Sequence, residues 1–432
     1  MTQGAAMGPR PHRRNLVLWR QSAGSAGRHA SAPFTPPART RRIRRWIRTG
    51  VLLTIVSLIA TVVVRPGALG NYTAHPALNP RTGQRHNGWV PVMLTTLKGQ
   101  GITPDFMVHH RYPEYTSSSN PSGSDSDSSL LQSSTAWFND VAQLRQEITD
   151  YFGPAGTNIE LLCTENNSDS GAQGRQSTSL VNGLYYADSL AQLMKTEFDA
   201  FVWWDLRNGT DTGGDFSSAL YGWRTYGDLG MINGLSTKHP TFYAAKLMRQ
   251  FAPPGGQIVS ASSDYSLLSA YAARTPSGAL SLLVLHKDPA TNFNAQIAIN
   301  GFAPGPGATV RSYGIPQDEA ARTNGAPLAQ DISTNALSGI TGSFAYSFPP
   351  YSMTLFTLAP AAPQLEIVGE TAPGSPVTLN LRGQPGTRYV IQSASDLSTW
   401  SDVSTNTLVG DSLTLNYPAA PGARYWRAVW QP

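Results

Sequence analysis

Ile159-Glu160-Leu161-Leu162-Cys163-Thr164-Glu165 is a short, mostly apolar run that closes on a carboxylate. Pro154-Ala155-Gly156 stops the chain before it, and the polar stretch Asn166-Asn167-Ser168-Asp169 follows it. A run of this length and composition predicts a strand buried on both faces, as in parallel sheets. Helical patterns lie on both sides of it. Ala136–Phe152 is amphipathic. After the run, Ser177 and Thr178 can cap a helix whose stripe is Leu180, Leu184, Ala187, Ala191 and Met194.

Working outward, Asp105–Pro113 (DFMVHHRYP) and Phe198–Leu206 (FDAFVWWDL) read as neighbouring strands, and Val90–Leu97 as a short helix. His239-Pro240 opens a last helix with Tyr243, Ala244, Leu247, Met248 and Phe251 on one face, ended by Pro253-Pro254-Gly255-Gly256. This alternation is the α/β rhythm. Helix-linked parallel strands carry their functional loops at strand C-terminal ends. Polar residues gather at those ends: His109, His110 and Tyr112 on the first, Glu165 and Asn166 on the second, Asp205 and Arg207 on the third.

Beyond Gly256 the pattern changes to short alternating strands (258–262, 267–274, 279–286, 295–300, 310–314, 352–358), which predict a β-sandwich over 255–360. Pro360–Pro363 is a linker, and 364–432 forms a small β module with Val377-Leu379-Leu381 and Leu413-Leu415-Tyr417 alternating. In that module Tyr389, Trp400, Tyr425 and Trp426 are either a carbohydrate-binding face or core, and the small size of the module favours core.

Charged residues make up only 14% of the 432 residues, with 40 Gly and 32 Pro, as suits a loop-rich extracytoplasmic protein. The net charge of +5 resides in the first 48 residues, which hold eleven Arg and no Asp, Glu or Lys. The remainder carries 21 basic against 27 acidic residues, so nucleic acid is not an expected partner. Residues 1–48 are predicted to be a disordered arm. Residues 49–70 contain the uncharged run Val51–Val64, short for a spanning helix. That segment is an export signal, an uncleaved anchor contacting the membrane, or a stretch foreign to the protein; the first two favour a secreted, periplasmic or anchored location. The single cysteine, Cys163, excludes an intrachain disulfide and a cysteine-based zinc cluster.

The segments Asp105–Tyr112, Thr164–Asn167 and Phe198–Gly209 resemble clan A glycoside hydrolases, especially α-L-arabinofuranosidase-like members. His110-Arg111-Tyr112 is similar to the signature closing the sixth barrel strand, Thr164-Glu165 to the nucleophile pair closing the seventh, and Trp203 or Trp204 to the tryptophan under the sugar on the eighth. Ser179–Leu190 and Ser347–Ser352 extend the likeness, which spans roughly residues 71–360. The resemblance implies α/β plus all-β architecture: the C-terminal part of a (β/α)8 barrel over 71–254 (strands six to eight), an accessory sandwich, and a loosely fibronectin-III-like tail module. It departs from the family at Asn166, where an aromatic is usual. The family's general acid/base, a Glu after Asn on strand four, has no counterpart, because Asp105 is the first acidic residue of the chain.

Retaining hydrolysis needs a nucleophilic carboxylate and a second carboxyl as acid/base. Glu165 is the expected nucleophile, with Tyr112 placed to hydrogen-bond it. His110 and Tyr112 share a face suited to sugar hydroxyls, while His109 points away as a structural residue. Asn166, Trp203 and Trp204 are further substrate-binding candidates, with Trp204 slightly preferred over Trp203 as the ring platform. Cys163 is expected to share the face of Glu165 and fill the barrel interior. Asp205 and Arg207 are expected to form a rim ion pair, and Asp125-Ser126-Asp127 to be a solvated loop rather than a calcium site. No metal or cofactor is implied. The expected function is a retaining hydrolase of terminal, arabinofuranoside-like sugars on polysaccharides or oligosaccharides, truncated and weakly active or inactive as encoded. The alternative is a cell-surface carbohydrate-binding or adhesion protein that retains a hydrolase remnant.

Overall fold

The computed structural model describes residues 14–18, 77–86, 89–115, 126–234, 237–324, 329–369, 372, 375–419, 422 and 424–432. The candidate signal or anchor at 49–70, the rest of the Arg-rich arm and Asp125 lie outside the described residues. Among the described residues no helix is long and apolar enough to cross a membrane.

Strand β1 (Arg14–Leu18) falls inside the arm expected to lack a fold. Its Leu16-Val17-Leu18 run is a short apolar stretch that the arm's overall composition conceals. Helix α1 (Trp89–Gly99) leads into strand β2 (Phe106–Arg111). Helices α2 (Asp127–Ser133) and α3 (Trp137–Phe152) return the chain to strand β3 (Glu160–Asn166). Helix α4 (Leu180–Leu193) connects β3 to strand β4 (Phe198–Phe201), and helix α5 (Pro240–Phe251) closes the region.

The three strands form one parallel sheet in the order β2-β3-β4. On its outer face Met107, Leu161, Cys163 and Phe198 pack with Val90 and Leu94 of α1 and with Trp137, Leu144 and Ile148 of α3. Its opposite face is less covered, with Phe106 and Val202 exposed. This is the partial barrel the sequence leads one to expect, followed by all-β layers.

The β-region begins with β5 (Gln257–Val259), β6 (Leu268–Arg274), β7 (Leu280–His286) and β8 (Phe293–Ile299). It continues with β9 (Pro304–Gly314), helix α6 (Ile315–Asn324), β10 (Ser333–Ser338), β11 (Ser343–Phe348) and β12 (Ser352–Pro360). A six-stranded antiparallel sheet runs β10-β9-β12-β7-β6-β5. A second sheet contains β8 between β11 and β1, with β1 parallel to β8 and also paired with Ser262-Ser263.

The larger sheet is the middle layer of the molecule. Leu280, Leu282 and Val284 of β7 pack against Ile297 and Phe344 of the second sheet. The alternate residues Leu283 and Leu285 join Leu184, Tyr185, Leu247 and Phe251 of α4 and α5. Every residue of β7 is consequently buried, as expected for a strand with cores on both sides.

The tail comprises β13 (Gln364–Ile367), β14 (Val377–Arg382), β15 (Arg388–Ala394), β16 (Ser401–Thr407), β17 (Ser412–Tyr417) and β18 (Tyr425–Trp430). Its two three-stranded sheets, β13-β14-β17 and β16-β15-β18, enclose Leu379, Leu381, Tyr389 and Ile391, with Trp426 packed alongside. Of the four aromatic residues expected as core, Tyr389 is buried and Trp426 is partly buried against it, whereas Tyr425 is 43% exposed and Trp400 carries Arg427 stacked 4.2 Å from its ring centre. The module is tied to the sandwich by Trp430 Nε1 donating to Ser277 O (2.7 Å) and Arg274 donating to Pro385 O (3.1 Å).

Candidate active site

The C-terminal ends of β2 and β3 bring three expected residues together. Tyr112 donates its hydroxyl hydrogen to Glu165 Oε2 at 3.0 Å. His110 Nδ1 stands 3.1 Å from the same oxygen, close but without hydrogen-bond alignment. His110 Nε2 pairs with Thr164 Oγ1 at 2.8 Å. The Glu165 side chain remains 29% exposed, so its carboxylate can be reached from outside.

A β-bulge makes this grouping. His109 pairs with Cys163, but His110 pairs with Glu165, so Thr164 is the extra residue. Bulges re-aim the side chains that follow them. Cys163 therefore does not share the face of Glu165, contrary to simple alternation. It packs on the helix side with Trp137 and Ile148, where burial pushes its thiol up to about 12 and keeps it protonated.

His110 is 3% exposed, which removes it from the expected role of sugar contact. Burial lowers its pKa more than Glu165 raises it, so the imidazole is neutral at neutral pH. It braces Glu165 and Thr164 from beneath. Tyr112 is held protonated by burial and by the charge and hydrogen bond of Glu165, and so stays a donor. His109 is structural as expected, fully buried against Trp137 and Phe198.

Asn166 is also withdrawn. It is fully buried, and its Nδ2 donates to Arg111 O (2.7 Å) and Tyr185 Oη (3.0 Å), which makes it a fastener between β2, β3 and α4 rather than a ligand for sugar. Its neighbour Asn167, not singled out from sequence, donates to Leu229 O (3.0 Å) and to Trp204 O, and accepts from Asn182 Nδ2 (3.0 Å). The Asn-Asn pair after the strand was the available signal, since buried amides beyond a strand end must find backbone partners.

Trp203 and Trp204 divide their work. Trp203 is 9% exposed and packs edge-on against Tyr186 with ring centres 4.9 Å apart. Trp204 is 42% exposed, and its amide donates to Asn166 O at 3.0 Å, which sets it beside the end of β3. A cis peptide joins Trp204 to Asp205. The expected Asp205–Arg207 pair does not form: Arg207 donates to Gly234 O instead, and the Asp205 main chain donates to Leu229 O (3.3 Å) and accepts from Met231 N (3.0 Å).

Asp127 likewise departs from the solvated-loop expectation. It begins α2, is 8% exposed, and accepts from Gln176 Nε2 (2.9 Å) and the Tyr221 amide (2.6 Å). A buried carboxylate is satisfied by donors from the loops over it. Among the described residues no group of three His, Cys, Asp or Glu is arranged to hold a metal ion.

A parallel sheet with a reachable glutamate at one strand end, backed by a β-sandwich, defines a partial (β/α)-barrel architecture. Solved structures similar to it are glycoside hydrolases. A xyloglucanase of glycoside hydrolase family 44 from Paenibacillus polymyxa shares 17% identity over 62% of this chain and 49% of its own, with a TM-score of 0.43. A β-xylosidase from Caulobacter crescentus shares 16% over 64% and 60%, TM-score 0.46. An α-L-arabinofuranosidase from Thermotoga maritima shares 16% over 61% and 54%, TM-score 0.44. The chain thus spans about half to three fifths of the length of these proteins. No family model and no curated protein matches it.

Proposed function

We propose that this chain carries the nucleophile half of a retaining glycoside hydrolase site, acting on terminal arabinofuranoside-like sugars of polysaccharides or oligosaccharides. The observation that carries the proposal is Glu165 at a strand end, partly exposed, accepting from Tyr112 and braced by neutral His110. A carboxylate fixed in this way can attack an anomeric carbon without first reorganising its surroundings. Trp204, exposed beside it, offers a flat apolar surface to a sugar ring. Tyr112, as a donor to the attacking oxygen, aims Glu165 while the bond forms.

The test is incubation of the full chain with a 2,4-dinitrophenyl 2-deoxy-2-fluoro-arabinofuranoside, followed by mass spectrometry. A covalent glycosyl adduct on the peptide containing Glu165, absent in Glu165→Gln, is the expected result. No adduct, together with no turnover of the corresponding non-fluorinated aryl glycoside, overturns the proposal.

A further inference from the structure

The sheet β16-β15-β18 of the tail module turns one face to the module's core and the other to solvent. Along β18, Trp426, Ala428 and Trp430 pack inward with Leu379 and Tyr389, so the alternate residues Tyr425 and Arg427 project outward. On that outer face the Arg427 guanidinium lies 4.2 Å from the centre of the Trp400 ring, and Tyr425 is 43% exposed. Tyr425 pairs with Ala394 of β15, and Trp400 stands directly before β16 on the opposite flank of β15. The two aromatic residues therefore flank the small side chain of Ala394, with their backbones about 10 Å apart, two inter-strand spacings.

A polar line crosses the same face beside them. Arg427 Nε donates to Gln392 Oε1 and Gln392 Nε2 donates to Asp402 Oδ1, each at 2.7 Å. A bulge brings Asp402 into this line: Ile391 pairs with Ser404 but Gln392 with Asp402, which leaves Val403 as the extra residue. Among the described residues Asp402 Oδ2 accepts no hydrogen bond, and the two terminal nitrogens of Arg427 donate none. One cation and one anion bridged by an amide give this line no net charge. Spaced donors and acceptors fixed beside two aromatic rings match a ligand that carries many hydroxyls and has apolar ring faces.

We infer that Trp400 and Tyr425, with Arg427, Gln392 and Asp402, form a binding site for a neutral polysaccharide chain laid across the strands. The platform is held in place before any ligand arrives. At the other end of β18, Trp430 pairs with Tyr389 and donates to Ser277 O of the sandwich at 2.7 Å. The Tyr425 end thus stands about 17 Å along the strand from that anchor, on a module that does not swing freely, and little freedom is lost on binding. The site goes beyond the hydrolase function proposed above and does not depend on it: it grips the polymer and breaks no bond.

The experiment measures depletion of the full chain from solution by insoluble arabinoxylan and by microcrystalline cellulose, with immobilised polygalacturonate as the charged comparison. Trp400→Ala, Tyr425→Ala, the double variant and Glu165→Gln are run beside the wild type, each with a thermal melt. The wild type is expected to be retained on at least one of the two neutral polymers, with little change when salt is raised to screen charges. Each alanine variant is expected to weaken retention about 10-fold, the double variant to abolish it, and Glu165→Gln to leave it unchanged. If Trp400→Ala unfolds the tail, Tyr425→Ala carries the test, because its side chain is exposed. No retention of the wild type on either neutral polymer overturns the inference, as does equal retention of the wild type and the double variant. Retention on polygalacturonate alone, lost with salt, also overturns it, because charge and not ring stacking then drives binding. Each of these outcomes leaves the covalent adduct on Glu165 to be judged by its own measurement.

Discussion

Lys287 Nζ lies 2.8 Å from Asp188 Oδ2, with both side chains withdrawn from water. Lys287 belongs to the sandwich and Asp188 to α4 beneath the candidate site. Ser134 and Tyr271 also donate to Asp188, and Lys287 donates to Leu131 O at 3.1 Å. Burial works against the charged carboxylate, but Lys287 and these donors outweigh it and hold the pKa of Asp188 below the usual value.

Breaking this pair leaves an uncompensated buried charge. Asp188→Ala is expected to cost about 3–5 kcal/mol of stability, measured by urea unfolding. The double change Asp188→Leu with Lys287→Met is expected to cost clearly less, since no charge is then stranded. Because the folded pKa is depressed, the contribution of the pair is present above the unfolded carboxylate value and is lost as pH falls through the lower folded value.

Glu147 on α3 gives the opposite sign. Burial, with the charge of Asp150 adding to it, raises its pKa from 4.5 to about 7. The folded state therefore binds the proton more tightly, and stability declines as pH rises from 4.5 through 7. Glu147→Gln is expected to stabilise the protein by about 1–2 kcal/mol at pH 8, after allowance for partial exposure, and to change little at pH 4.5. A thermal melt at the two pH values checks the sign.

Tyr112→Phe removes the donor to Glu165 and keeps the ring. A hydrogen bond to a charged group is worth about 1.5–3 kcal/mol, so kcat/KM on an activated aryl glycoside is expected to fall about 10- to 100-fold. The melting temperature is expected to move by only a few degrees.

The adjacent tryptophans separate in kind. Trp203→Ala hollows the core among Tyr185, Tyr186 and Phe201 and is expected to cost about 3–5 kcal/mol. Trp204→Ala removes an exposed ring, leaves stability within about 0.5 kcal/mol, and raises KM for aryl glycosides severalfold. Denaturation and kinetics on the two variants distinguish them.

The periodic features of this chain were legible without coordinates. The strands around Met107, Leu161 and Phe198 and the α4 and α5 stripes announce themselves by runs and spacing, and strand polarity placed Glu165 and Tyr112 at one end. The bulge at Thr164 was not legible, because an inserted residue has no composition of its own; counting by twos therefore put Cys163 on the wrong face. His110 and Asn166 were assigned to sugar because sequence shows polarity but not depth. Asp188 belongs to the Ser179–Leu190 segment that carries the family likeness, but its ion-pair partner lies 99 residues away, so nothing in the helical spacing announces the buried pair. β1 escaped notice because eleven arginines dominate the composition of its surroundings.

The hydrophobic cluster beneath the site draws on Leu184, Tyr185, Leu247 and Phe251 from one side of Gly255 and on Tyr271, Leu283, Tyr313 and Leu355 from the other. A boundary visible as a change of pattern along the chain is therefore not a seam in the folded molecule. In recombination, natural or engineered, the sandwich is not a portable cassette. A foreign sandwich grafted behind α5 would have to match the apolar relief of two helices and also supply a cation for Asp188. Exchange at that point carries the helix faces along with it or yields a chain that cannot close its own interior.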